Sequence, residues 1–270
     1  MRSKLLTFIG FFSTLFGLGP LSAEYPRPWQ FNYQTPATPV MEHIYNLHTL
    51  LLVTESAIAV FVIGLLLYVI FRFRASRNPN PSRVSHHTIL EVVWTTIPVV
   101  ILIIIGIPSF KLLYFMDVVP KSDLTIKAVG HQWYWSYEYP DHNISFDSFM
   151  IEDKDLKPGQ LRLLETDTHV IVPTNTNIRV ITTSADVIHS WAIPSFGVKR
   201  DSVPGRLNET WFNVQKEGLY YGQCSELCGT KHGFMPIVIE AVSPEKFKQW
   251  IAQNAPAPST PAEPATVQQK

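Results

Sequence analysis

Two long apolar runs, residues 46–73 and 90–116, constrain what this chain can fold into more than any other feature. A helix rises about 1.5 Å per residue and the hydrocarbon core of a bilayer is about 30 Å thick, so about 20 apolar residues cross it. Both runs exceed that length. In lipid such a segment must be helical, because a helix satisfies its backbone polar groups within itself. The stretch joining the runs carries Arg72, Arg74, Arg77 and Arg83 and no acid. Basic residues stay on the cytoplasmic side. The sequence therefore predicts an antiparallel transmembrane helix hairpin over residues 46–116, with everything after residue 117 outside.

The flanks read differently. Residues 1–23 have the pattern of a secretory signal peptide: Arg2 and Lys4, an apolar stretch over 5–18, and a Gly19-Pro20 break before Ala23. That apolar stretch is too short to span a membrane. Residues 24–45 are rich in Pro, Gln and aromatic side chains without periodicity, predicting an extended arm that lies on a partner. Residues 253–270, mostly Pro, Ala, Thr and Gln, predict a disordered tail.

Residues 117–252 predict an all-β domain, so the whole chain is of α+β class. Short alternating or β-branched runs recur at 124–129, 132–139, 161–165, 169–173, 177–183, 206–213 and 235–241. Pro, Gly and Asn separate them. A closing helix is expected over 247–252. Acids and bases balance at 22 each in the full chain, so charge gives no reason to expect a nucleic acid. Residues 117–250 hold 17 acids against 13 bases, which favours a cationic partner.

The chemistry concentrates in Cys224-Ser-Glu-Leu-Cys228-Gly-Thr-Lys-His232-Gly-Phe-Met235, which holds both cysteines of the chain. His189 lies upstream, in Asp186-Val-Ile-His189-Ser-Trp191. A C-x₃-C pair alone reads equally well as a disulfide. A disulfide has no use for the nearby His and Met. Zinc prefers a second Cys or His pair and binds Met poorly. One blue copper takes one Cys, two His and a weak Met. This set has one thiolate more, and its natural use is to bridge a second copper.

With that loop, three further segments resemble the subunit II family of cytochrome c oxidase: Gly130-His-Gln-Trp133-Tyr-Trp135-Ser-Tyr-Glu138-Tyr139, the His189 segment, and Val198-Lys-Arg-Asp-Ser-Val-Pro-Gly-Arg206-Leu-Asn208. The likeness covers residues 40–250. It implies a cupredoxin-like Greek-key β domain with a dinuclear copper (CuA) centre. Cys224 and Cys228 would bridge, His189 and His232 would terminate, and Met235 and the Glu226 carbonyl would be axial. The Glu226 carboxylate would hold a magnesium or manganese ion shared with the catalytic subunit. Trp133 would admit electrons from cytochrome c, docked around Gln132, Tyr134, Glu138, Asp141, Asp147, Glu165, Asp167 and Asp186. Phe149 stands where some relatives have Tyr. Glu91, in Glu-x-x-Trp, would mark the entrance of a proton channel, and Lys199, Arg200, Asp201 and Arg206 would face the haem-bearing catalytic subunit. Glu55 matches nothing in the family pattern. It is expected to pair with a neighbouring subunit.

The chain has no C-x-x-C-H and so no haem attachment motif of its own. The resemblance implies the inner membrane of a bacterium with the β domain in the periplasm, the mitochondrial inner membrane being the alternative. A quinol oxidase subunit II would lack the copper ligands. A nitrous-oxide-reductase domain would lack the hairpin, and a copper-delivery protein would need an open, exchangeable site.

Overall fold

The computed structural model describes residues 22–256. The predicted leader up to residue 21 and the predicted tail beyond 256 lie outside those residues. Chain order runs β1 (Ser22–Glu24), α1 (Pro39–Arg72), α2 (Thr88–Asp117), β2 (Leu124–His131), β3 (Tyr134–Tyr139), β4 (Ile144–Ser148), β5 (Val170–Pro173), β6 (Ile178–Ser184), β7 (His189–Ile193), β8 (Val198–Ser202), β9 (Asn208–Phe212), β10 (Gly218–Gln223), β11 (Pro236–Val242) and α3 (Pro244–Asn254).

Helices α1 and α2 are long and apolar enough to cross a membrane, and their apolar side chains face outward along most of their length. α1 starts at Pro39 rather than at residue 46, which shortens the predicted arm. Thr38 caps it, its Oγ1 accepting from Met41 N at 3.1 Å, with Pro39 at the first helical position. The added turns escape an apolar-run reading because Glu42 and His43 interrupt them, yet they bury Val40 and Met41. At the other end, His87 caps α2 by accepting from Leu90 N at 3.2 Å, and Glu91 Oε1 accepts from His87 N at 3.1 Å. The arm was expected to lie on a partner; instead residues before Pro39 are tied to this chain's own β domain, β1 pairing with β10 and Ala37 N donating to Ser195 O at 2.9 Å.

The outer domain has two main sheets, ordered β1-β10-β11-β5 and β4-β3-β2-β6-β9, with β7 and β8 as a separate hairpin. Burial alternates residue by residue along β2, β3 and β6, as a pleated strand with one inner face requires. Between the sheets lie Trp135, Tyr137, Tyr139, Trp191, Phe196, Phe212, Ile126 and Ile239, all nearly fully buried. Burying each such apolar side chain contributes about 1.5–3 kcal/mol. Buried polar tips are matched: Trp191 Nε1 donates to Tyr137 Oη at 3.2 Å and Tyr139 Oη to Ile171 O at 2.8 Å.

Residues 161–165 form turns, not the predicted strand, with Leu163 at φ 65. β4, β7, β8 and β10 were not expected. β7 is buried at every position, so it shows no alternation to read, and β8 is polar along its middle. The predicted final helix is longer, Pro244–Asn254, and takes in the first two residues of the predicted tail.

The hairpin seats directly on the domain. Thr38 Oγ1 donates to Phe196 O at 2.7 Å, and Phe115 meets Trp211 edge-on at 5.4 Å. Gly197, at φ 69, has no room for a side chain: a Cβ there would lie 2.7 Å from Ile44 Cδ1 and 3.1 Å from Met41 Cα.

Candidate metal centre

Three segments converge at one end of the β domain. His189 opens β7, the β10–β11 loop supplies residues 224–235, and the β2–β3 turn lays Gln132 and Trp133 over that loop. Antiparallel pairing puts Gln223 opposite Pro236, so the loop leaves and rejoins the sheet at one place. Cys224 N donates to Met235 O at 3.3 Å, and Ser225 N to Ser190 O at 2.9 Å, which ties the loop to β7. Two glycines permit the crossing. A Cβ at Gly222 would stand 2.0 Å from Ala192 O, and one at Gly130 would stand 2.8 Å from the His189 ring.

Both thiols are free and buried, with their sulfurs 3.9 Å apart. His189 Nδ1 lies 3.8 Å from Cys224 Sγ, and the Glu226 carbonyl oxygen 3.3 Å from the same sulfur. His232 Nδ1 lies 3.6 Å and Met235 Sδ 3.5 Å from Cys228 Sγ. Metal–donor bonds of about 2.0–2.3 Å allow two donors of one ion to be at most about 4.6 Å apart, so each of these contacts suits a shared ion. The donor atoms of His189, Cys224 and Cys228 all lie within 4.8 Å of one another, and His232 falls outside that group. Thiolate, thioether and imidazole are donors for soft or borderline metals, copper among them.

His189 is fully buried, and its Nε2 meets Asp186 Oδ1 at 2.8 Å. Donation to that carboxylate leaves Nδ1 as the lone-pair donor facing Cys224. Asp186 also accepts from Gln132 N at 2.7 Å and Val187 N at 2.6 Å. Burial acts to raise the Asp186 pKa, but these three hydrogen bonds outweigh it and the carboxyl titrates below its ordinary value. At Cys224 burial again opposes ionisation and is outweighed, by His189 and by the backbone of Glu226 and Ser190, bringing the thiol down to about 7. Burial and the neighbouring Cys224 push Cys228 up to about 12. Cys224 is thus the thiol that ionises first, and binding a soft cation would release the proton that Cys228 retains.

Trp133 sits in the turn before β3 rather than within a strand. It is half-buried, and its Nε1 donates to Cys228 O at 3.2 Å. Gln132 Nε2 donates to the same oxygen at 2.8 Å. Gly229, at φ 116, lets the indole lie flat on the loop, since a Cβ there would stand 3.1 Å from Trp133 Cζ2. Tyr134 stacks between His131 and Phe149, each centroid 4.4 Å away. Glu226, Leu227, Phe149 and Phe234 are exposed around the centre.

The acids predicted to dock a partner divide into distinct roles. Asp141 and Asp147 are exposed, the first accepting from Thr125 N at 3.3 Å and the second from Ser136 Oγ at 2.5 Å. Asp167 is exposed and accepts from Phe149 N at 2.9 Å. Glu138 pairs with Lys127 at 3.0 Å. Asp186 is committed to orienting His189. Glu165 is corrected outright: it is 2% exposed, accepts from Tyr221 Oη at 3.1 Å and contacts His169 Nε2 at 2.8 Å. It offers nothing to a partner. Sequence reasoning missed Gly130, Gly222 and Gly229 as supports of the site. The signal available was their position beside ligand or aromatic segments.

The two outward-facing helices, the two-sheet β domain and this soft-donor cluster define a membrane-anchored, cupredoxin-like protein with a candidate copper centre. Residues 26–112 match the model "Cytochrome C oxidase subunit II, transmembrane domain", and residues 124–242 match "Cytochrome C oxidase subunit II, periplasmic domain". A probable cytochrome c oxidase subunit 2 of Rickettsia bellii is 53% identical over 246 residues, covering 89% of this chain and 91% of that one. Cytochrome c oxidase subunit 2 of Oenothera berteroana is 54% identical over 233 residues, covering 84% and 90%. The solved periplasmic domain of subunit II from Bradyrhizobium japonicum is 56% identical over 51% of this chain and 96% of its own, with a TM-score of 0.48. The chain belongs to the cytochrome c oxidase subunit II family. It is a membrane-bound subunit of an oxidase, with its β domain corresponding to the family's periplasmic domain.

Proposed function

We propose that this subunit receives electrons from a cytochrome c at a dinuclear copper centre and passes them to a haem–copper catalytic subunit. The observation carrying this reading is the disposition of donors about the sulfur pair. His189 flanks Cys224 and His232 flanks Cys228, so the imidazoles lie on opposite members of the sulfur pair. Two ions bridged by two thiolates use every donor, whereas one ion leaves some idle. A bound copper pair would supply one-electron storage, with the charge shared so that each bond changes little. The chain's own part is to hold Cys224, Cys228, His189, His232, Met235 and the Glu226 carbonyl rigidly on a β scaffold.

Trp133 is the proposed entry point. Its indole edge reaches the surface and its N–H bonds to the carbonyl of Cys228, giving a short bonded path into the ligand loop. Gln132, Tyr134, Glu138, Asp141, Asp147 and Asp167 are the proposed docking surface for a basic cytochrome. The exposed Glu226 carboxylate suits a magnesium or manganese ion, hard cations that take oxygen donors. One carboxylate is too few for such an ion, so the remaining ligands would come from the catalytic subunit. Lys199, Asp201 and Arg206 are exposed and available to that subunit, whereas Arg200 is engaged with Asp117 and Glu209 O. Glu91 caps α2 and is proposed to stand at a proton-channel entrance in the assembled oxidase. The membrane would be a bacterial inner membrane, reached through a leader that ends before Ser22 rather than at residue 23, since β1 pairs with β10 from Ser22 onward.

The deciding test is the electron paramagnetic resonance spectrum of the copper-loaded chain. Seven hyperfine lines from one electron over two copper nuclei are expected. Four lines would mean a single copper and would overturn the assignment.

A further inference from the structure

Residues 25–38 form a closed loop whose tip the oxidase chemistry leaves unexplained. Tyr25 at one end packs edge-on against Tyr221 of β10, with centroids 6.4 Å apart. At the other end Ala37 bonds to Ser195 and Thr38 caps α1. Between these anchors the chain travels along the outer end of α1: Asn32 Nδ2 donates to Tyr45 Oη at 3.1 Å, and Tyr33 meets His48 edge-on at 4.7 Å. The tip is internally braced, with Arg27 N donating to Gln30 Oε1 at 3.1 Å and Gln30 Nε2 to Tyr33 O at 2.8 Å. A braced loop would ordinarily turn its aromatics inward. Here Trp29 is 91% exposed and Phe31 100% exposed.

The helices supply a depth scale. Counting from Arg72 at the cytoplasmic end, 20 residues at about 1.5 Å each bring α1 to Leu52, the thickness of a hydrocarbon core of about 30 Å. α2 agrees, since Glu91 and Lys111 are likewise 20 residues apart. His48 then lies about 6 Å beyond the apolar core and Tyr45 about 10 Å beyond it, within or at the edge of the headgroup layer. Tyr33 and Asn32 fix the loop tip at that height.

We propose that residues 27–33 are an interfacial anchor, with Trp29 and Phe31 seated among the lipid headgroups of the outer leaflet and Arg27 available to the phosphates. Aromatic side chains at this depth and a cation beside them are the composition a membrane–water boundary selects. The proposal rests on α1 spanning the membrane and is independent of what metal the β domain holds.

The test places a nitroxide at Phe31→Cys, and separately at Trp29→Cys, in the assembled copper-loaded oxidase reconstituted into phosphatidylcholine nanodiscs. Phe31 makes no side-chain bond, so its replacement should leave folding intact. Power saturation with oxygen and with a water-soluble nickel chelate then reports the surrounding phase. An oxygen-to-nickel accessibility ratio several-fold above that of a label on the water-exposed outer domain is expected at Phe31→Cys and Trp29→Cys. A ratio equal to that of the outer-domain label would place the tip in water and overturn the proposal. Low accessibility to both would show a protein partner over it and would equally overturn it.

Discussion

Asp186 and Gly130 show how single residues control the His189 ligand from two sides. Asp186 fixes which ring nitrogen faces the sulfurs, and Gly130 leaves the space in which the ring stands. Asp186→Asn should weaken copper binding about 10–100-fold, as loss of a carboxylate behind a ligating imidazole typically does. Competition titration against a chelator measures this, and unchanged affinity would remove Asp186 from that role. Gly130→Ala should displace His189 and alter the copper spectrum while thermal unfolding of the domain shifts only modestly. The candidate donors could be picked out in the sequence because Cys, His and Met at those spacings have few other uses, and the fold brings them together. Asp186 was legible as an acid but assigned to docking, since its bond to His189 depends on the β6–β7 turn. Glu165 was misjudged for a similar reason: besides the nearby His169, its burial depends on Tyr221, 56 residues away.

Elements divide by how much of their burial is local. The membrane helices and β2, β3 and β6 announce themselves by length or alternation, whereas β7 and β10 are buried on both faces and carry no period. The first turns of α1 stayed hidden because only Val40 and Met41 are buried there, against residues 150 positions away. Thr38→Ala should cost about 1–2 kcal/mol through the lost cap, seen as a lower denaturation midpoint in detergent. Strand β5 is joined to β11 by a second polar device, His169 between Glu165 and Glu240 at 2.8 and 3.2 Å. Burial acts to lower the His169 pKa, but the two carboxylates outweigh it and raise the value from 6.5 to about 9. A raised histidine stabilises the fold fully below its unfolded pKa, so this contribution is complete below about pH 6.5 and lost as pH rises through about 9. The loss should be roughly 1–3 kcal/mol between pH 6 and 10. His169→Gln should flatten that dependence, and an equally steep decline in the variant would rule the cluster out.

Across the whole molecule, charge and architecture address the same partner. The excess of acids after residue 117 should make reduction by a basic cytochrome slow as ionic strength rises, because screening at 0.1 M acts over about 10 Å. Trp133→Ala should slow that reduction while leaving the copper spectrum intact. Trp133→Phe, which keeps a ring but loses the bond to Cys228 O, separates the electronic role from support of the loop. Global architecture was legible because lipid imposes so few solutions; the seating of hairpin on domain was not, since it depends on Gly197, Phe115 and Trp211 meeting across the fold. That seating has a mechanical consequence. With Gly197 flush against Met41 and Ile44, and Phe115 wedged on Trp211, the outer domain has no hinge on which to swing. It is a fixed berth, and on the proposed function the member of the exchange that moves is the visiting cytochrome.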